Sequence, residues 1–230
     1  MSNRLTAKEK LLNAALSLIR EKGFSATTVE DLCARAGVTK GAFFHHFISK
    51  EALGVAAANH WSTVTGAIFE QASYHTHEDP LDRVLAYIDF RHSLLRGEPP
   101  EFTCVAGTMV QEVYDLYPKI RAACAESIFG HADTLVDDIE AAMAAHGATD
   151  DWTAESLAAH TQAVLQGAFI LAKAKNDVTV AKQSVAHLRR YVALLFHRTP
   201  EQGDKRLTLA RQESTPSRLP SMMKGEGKQR

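Results

Sequence analysis

Cysteine is scarce in this chain and scattered: Cys33, Cys104 and Cys124 are odd in number, far apart and form no CxxC pair. That pattern excludes a disulfide framework and a cysteine zinc cluster, and fits a reduced compartment. Long apolar runs are missing as well. Nothing approaches the roughly 18 apolar residues that a membrane span needs, and the opening MSNRLTAKEK lacks the apolar stretch of a signal peptide. The expected location is cytoplasmic, with no membrane partner. Charge of one sign is lacking too, since the net charge is only −1; a general attraction to polyanions is therefore excluded, and any nucleic-acid contact must come from a local patch. Finally, there is no Ser-His-Asp arrangement, HExxH or phosphate-cradling glycine loop, so neither an enzyme nor a cofactor is expected.

Sustained alternation and β-branched runs bounded by turns are also absent, whereas apolar residues recur at three- and four-residue intervals almost throughout. The fold class this predicts is all-α. Thr6 to Glu9 and Thr27 to Glu30 have capping-box spacing, and Pro80 and Pro118 suit a first helical turn. Breaks at Gly23, Gly37, GEPPE (97–101), HGATDD (146–151) and Asn176-Asp177 leave about nine helices: 6–22, 27–34, 39–45, 49–73, 80–96, 101–115, 118–145, 152–175 and 178–197. Residues 199–230 hold too few clustered apolar side chains to offset the entropy of ordering them and read as a flexible tail. His75-Thr-His77-Glu78-Asp79 offers metal-ligand chemistry, but the better reading is a polar loop that caps the helix at Pro80; no metal site is assigned.

The local patch lies at the N-terminus. In residues 1–52, eight Lys and Arg face five Asp and Glu, a surplus of +3. The same segment holds TTVEDLCARAGVTKGAFFHHF, read as two helices and a turn. Val29, Leu32 and Cys33 face a core, Gly37 supplies a residue able to take positive φ, Val38 plugs the turn and Thr39 caps the next helix. Phe43 and Phe47, four apart, point inward. Lys40, Gly41, Phe44 and His45 fall at or beside the outer leading part, the half of a recognition helix that meets base edges. Adjacent His45 and His46 diverge by about 100° and do not share a metal.

Residues 6–54 resemble the DNA-binding domain of the TetR family of repressors, whose pattern is close to T-T-V-x-x-I-A-x-x-A-G-V-S-K-G-x-L-Y-x-H-F-x-S-K-E-x-L. The resemblance implies that Thr27 or Thr28, with Thr39, binds phosphate at helix starts. It further implies that Lys40 and Gly41 approach bases, that Phe44, His45 and His46 contact backbone or bases, and that Lys50 grips a phosphate. Helix N-termini, a mobile lysine charge and a glycine permitting close approach suit those roles on physical grounds. One departure stands out: Phe43-Phe44 replaces the family's Leu-Tyr, so the tyrosine hydroxyl is missing. Either the two histidines supply its contact, or Phe44 packs on sugar or a thymine methyl.

The family further implies a helix-turn-helix domain (1–52), a ligand-binding and dimerisation domain (53–198), a palindromic double-stranded DNA operator, a small-molecule effector and a homodimer formed through the last two helices. For that dimer the sequence offers the stripe Ala181, Val185, Leu188, Val192, Leu195 and Phe196, with Leu157, Ala158, Val164, Leu165, Ala168 and Leu171 around Gly167 before it. The alternative is that both stripes are internal core. Candidate effector-pocket residues are Trp61, Phe90, Cys104, Met109, Tyr114, Phe129 and Phe169. The functional expectation is a repressor released by its effector. Its alternatives are a sensor of electrophiles or oxidants acting through Cys104, which lies near a helix start, an all-helical enzyme, or a helical protein-binding module.

Overall fold

The computed structural model describes residues 5–148 and 151–198; the expected tail at 199–230 lies outside them. Among the described residues every regular element is helical: α1 (Ala7–Lys22), α2 (Val29–Ala36), α3 (Lys40–His46), α4 (Lys50–Glu70), a 3-10 turn (Ser73–Thr76), α5 (Pro80–Ser93), α6 (Pro99–Phe102), α7 (Val105–Val113), α8 (Pro118–Asp133), α9 (Val136–His146), α10 (Ala154–Lys175) and α11 (Val178–Leu195). The all-α class and layout are as expected. Two of the expected helices are each interrupted. The one over 101–115 breaks where Cys104 caps α7, its Sγ accepting from the Gly107 N–H at 3.4 Å. The one over 118–145 breaks at Leu135, whose N–H turns back to the Ala132 carbonyl.

The chain divides into two compact units. The first joins the residues up to Glu70 with Pro99–His131. One apolar cluster holds it together: Leu11, Leu18 and Ile19 of α1, Phe24, Leu32 of α2, Phe43 and Phe47 around α3, Leu53 and Ala57 of α4, Met109 of α7, and Ile120 and Cys124 of α8. Gly54 shows how closely this cluster is fitted, since a Cβ there would sit 2.8 Å from both Ile120 Cδ1 and Phe24 Cε2.

The second unit joins Gln71–Glu98 with the described residues from Ala132 on. Here α11 packs on α10 and α5; Ala181, Val185, Leu188 and Val192 are buried on it, as are Leu81, Val84, Tyr87 and Ile88 on α5 and Leu165 and Ala168 on α10, while Phe196 is buried with its ring 5.6 Å from that of Trp152. Inside, the Gln162 amide donates to the Tyr87 hydroxyl at 3.3 Å. Arg83–Asp138, Arg189–Asp89 and Arg198–Asp82 ion pairs close its surface. Asp79 accepts from the Leu81 N–H at 2.8 Å and thereby caps α5, so the polar stretch before Pro80 is a capping loop. The stripe proposed above as a dimer face is therefore, on α11, largely internal core. Its period is that of any buried helix face, and α5 and α10 already cover it.

Candidate nucleic-acid interface

The geometry of α3 follows from its two ends. Thr39 takes extended backbone and its hydroxyl accepts from the Ala42 N–H at 3.1 Å. Upstream, Gly37 ends α2 at φ +64°, a conformation cheap only for glycine. Phe43 is fully buried and stands 5.8 Å from the buried Phe47 and 5.2 Å, edge-on, from Phe44. Burying a phenylalanine of this kind stabilises by about 1.5–3 kcal/mol, which is what fixes so short a helix. The other side stays open: Lys40, Gly41 and His45 are exposed, His46 is half-buried, and Phe44 is 55% exposed.

Gly41 has no internal reason to be glycine. A Cβ there would meet only Thr39 Oγ1, at an ordinary 3.7 Å, while glycine inside a helix costs about 1 kcal/mol relative to alanine. The free space lies outside the protein, on the face that carries Lys40.

The cations around α3 are tethered to neighbouring acids. Lys40 pairs with Glu30 of α2, Lys22 with Asp31 at 2.6 Å, and Arg35 forks onto Glu21 at 2.9 Å. The Glu30 partner raises the Lys40 ammonium above its ordinary value, and Lys40 in turn lowers the Glu30 carboxyl. Exposed pairs of this sort are worth little and exchange readily for a stronger anion. Lys50 donates to the Ser25 carbonyl at 3.1 Å and lies 4.6 Å from the Phe24 ring centroid; partial burial lowers its pKa.

The two threonines before α2 play different parts. Thr27 is buried, its hydroxyl donating to the Gly23 carbonyl at 2.6 Å and its N–H bonded to Phe24. Thr28 is the exposed N-cap, in a reciprocal box with Asp31. The box therefore sits one residue later than the Thr27–Glu30 spacing suggests; with two threonines followed by Glu-Asp, both registers were available. Sequence reasoning missed two residues here. Ile48, 90% exposed beside α3, reads as one more apolar residue of a Phe-rich stretch. Glu112 of α7 accepts from the Ser25 N–H at 2.9 Å, so the Ser25 peptide is held by Glu112 on one side and Lys50 on the other; a contact 87 residues apart leaves no local signal.

The seven candidate pocket residues are not brought together as a set. Trp61 and Cys104 are half-buried against the first unit's cluster, which contains Met109. Tyr114 and Phe129 are exposed in that unit. Phe90 and Phe169 belong to the second, where Phe169 is buried and Phe90 stands 6.0 Å from Tyr74. Burial raises the Cys33 thiol and pushes Cys124 up to about 12, so both are poor nucleophiles.

Two family models match the chain: bacterial regulatory proteins, tetR family, over residues 11–57, and tetracyclin repressor-like, C-terminal domain, over residues 80–188. Among curated relatives, the HTH-type transcriptional repressor NemR of Escherichia coli is 26% identical over 201 residues, 81% of this chain and 94% of NemR. The transcriptional regulator AcuR of Cereibacter sphaeroides is 30% identical over 123 residues, 51% of this chain, and the HTH-type regulator YerO of Bacillus subtilis is 41% identical over 54 residues, 24% of it. The chain spans 53% of AcuR's length and 19% of YerO's. The crystal structure of reduced E. coli NemR superposes with a TM-score of 0.66 at 26% identity, covering 80% of this chain and 96% of that one. A cysteine mutant of the TetR family regulator CifR, solved in complex with 26-base-pair operator DNA, shares the fold at TM-score 0.67 and 16% identity, covering 83% of this chain and 98% of that one.

Proposed function

Because this chain belongs to the TetR family and is a DNA-binding transcriptional regulator, we propose that it is a cytoplasmic homodimeric repressor, without enzymatic activity, released from a palindromic operator by a small-molecule effector. The observation that carries the reading is the division of α3 into an anchored side and an open side. Phe43 and Phe47 lock the helix to its unit, while Lys40, Gly41, Phe44 and His45 face outward with a glycine that no internal contact requires. In the bound state Thr28 and Thr39 offer helix-start groups to phosphate, Lys40 and Gly41 approach bases, Phe44, His45 and His46 flank them, and Lys50 leaves Ser25 for a phosphate. Thr27 contributes from beneath by holding the Gly23 turn. CifR's complex with operator DNA supports this reading by likeness of fold.

Residues 1–52 form the DNA-binding part of this account and 53–198 the part that senses and dimerises. The outer faces of α10 and α11 suit pairing with a second copy: Ile170, Leu171, Tyr191 and Leu194 are exposed there, and Gly167 has open space where a Cβ would be. Two copies present two recognition helices to half-sites one DNA turn apart. The effector pocket centres on Trp61, Cys104 and Met109. For control, the effector must bind the released form more tightly than the DNA-bound form.

A gel-shift titration of the full chain against its own upstream DNA and a scrambled duplex, at two salt concentrations, tests the proposal. The expected result is selective binding that weakens steeply with salt. Equal affinity for both duplexes would refute it.

A further inference from the structure

Arg20 lies on the buried face of α1 and is only 2% exposed. Its Nε donates to the Leu16 carbonyl of its own helix at 2.9 Å, its Nη1 donates to the Glu101 carbonyl of α6 at 3.3 Å, and the Trp61 ring centroid lies 5.3 Å from its Cζ. These bonds use two of five guanidinium N–H groups. Nη2 has no protein hydrogen-bond partner among the described residues but keeps contact with solvent, and no carboxylate there stands within ion-pair distance of this cation. Burial lowers the group to about 10, with Cys104, Glu21 and Glu101 opposing, so at neutral pH it stays charged. A desolvated, charged guanidinium is ordinarily matched by an anion.

A hydroxyl without a partner lies two residues after Glu101. Thr103 Oγ1 is buried without a hydrogen-bond partner, alone in this among the side-chain N and O atoms of the described residues. Thr103 stands between Glu101, whose carbonyl receives Arg20, and Cys104, which caps α7. Residues 101–104 and the end of α1 thus combine one free-ended cation with one orphaned hydroxyl. What surrounds them is apolar: Trp61 and Cys104 pack on the cluster that holds Val105, Ala106 and Met109.

We propose that Arg20 and Thr103 receive the carboxylate head of the effector, a small monocarboxylate whose apolar body lies against Trp61 and Cys104. The inference rests on the effector-controlled reading above, extends its sensing site from residues 53–198 to Arg20 on the inner face of α1, and names the chemistry of that ligand. A carboxylate is acceptor-only and two-pronged, and complements a guanidinium edge and a hydroxyl proton together. The Glu21 and Glu101 carboxylates already oppose part of this cation's charge, so a monoanion meets less repulsion here than phosphate or a dicarboxylate would. A route to the DNA-binding side is already present, because α7 starts at Cys104 and carries Glu112, which holds Ser25 beside Lys50.

The test uses the full chain, with sodium monocarboxylates from acetate to hexanoate and benzoate as probes, each paired with its amide. Thermal shift and release of bound DNA are read together. The carboxylates should raise the melting temperature in a concentration-dependent way and release DNA, and the amides should do neither. Arg20→Met should keep DNA binding yet weaken the response more than about thirtyfold. Thr103→Val should weaken it about tenfold, one hydrogen bond to a charged group. If Arg20→Met does not fold, Thr103→Val and the carboxylate-to-amide comparison on the unaltered chain still decide. Amides as effective as carboxylates, an unaltered response in Arg20→Met, no response to any probe, or a response abolished by Cys104→Ser alone would overturn the proposal. Absence of selective DNA binding with the thermal shift intact would refute the repressor reading and leave this site standing.

Discussion

The helix-turn-helix and the α10–α11 pair are both amphipathic, but they divide their surfaces differently. In α3 one edge is apolar and sealed, and the other carries Lys40, Gly41, Phe44 and His45. In α11 one edge is apolar and sealed by α5 and α10, and the other mixes exposed Gln183, His187 and Arg190 with the exposed Tyr191 and Leu194. A cation beside a glycine that no internal contact requires identifies its partner by contrast. Apolar residues on a helix with an apolar inner face do not, because burial inside the subunit and burial against a second copy use the same residue types.

The largest effect expected from this contrast lies in α11. Leu188→Asp puts an unpaired charge in the core of the second unit and should lose about 3–5 kcal/mol of stability, as read by thermal or urea unfolding. Leu194→Asp, on the outer edge, should leave the monomer's fold intact while shifting light scattering from dimer to monomer. Equal destabilisation by both would erase the distinction between the two edges. The next effect contrasts two glycines of the first unit. Gly54→Ala drives a methyl against Ile120 and Phe24 and should cost about 1–3 kcal/mol with DNA affinity per folded molecule unchanged. Gly41→Ala should be neutral or stabilising by up to about 1 kcal/mol, yet should sharply weaken DNA binding.

Smaller changes refine the electrostatics. Glu30→Gln frees Lys40 and removes a negative charge beside the phosphates, so affinity for scrambled DNA should rise a few-fold and its salt dependence steepen. His60, bonded to Asn13 at 3.0 Å, has its pKa lowered by burial. A depressed histidine contributes stability that is present above its unfolded value of about 6.5 and is lost as pH falls below it. Unfolding curves for His60→Asn should therefore show a shallower loss between pH 6.5 and 5 than the parent.

What could be read in the chain beforehand tracks the range of the interactions. The class, the α3 faces and the caps at Thr6, Thr39 and Asp79 are local, set by residues within three or four positions, and sequence spacing reports them. The register of the Thr28 box is local too but degenerate, and it came out one residue late. Arg20 and Glu112 were beyond reach. Arg20 read as one more cation of a basic segment, and only the arrival of Glu101 and Trp61 from distant sequence buries it. The pocket candidates suffered likewise: an aromatic such as Tyr114 or Phe129 carries the same weight in a sequence whether it ends inside or on the surface.

The central claim is that the open, leading side of α3 binds a specific duplex, and a titration of Lys40→Ala against the parent on that duplex tests it most directly. Fluorescence anisotropy over a range of salt, with Lys182→Ala as a control on the second unit, is the measurement. The account predicts that Lys40→Ala loses at least about tenfold in affinity and that its log–log salt slope falls by about 1 per half-site, with the control unchanged. Parental affinity and slope in Lys40→Ala would contradict it.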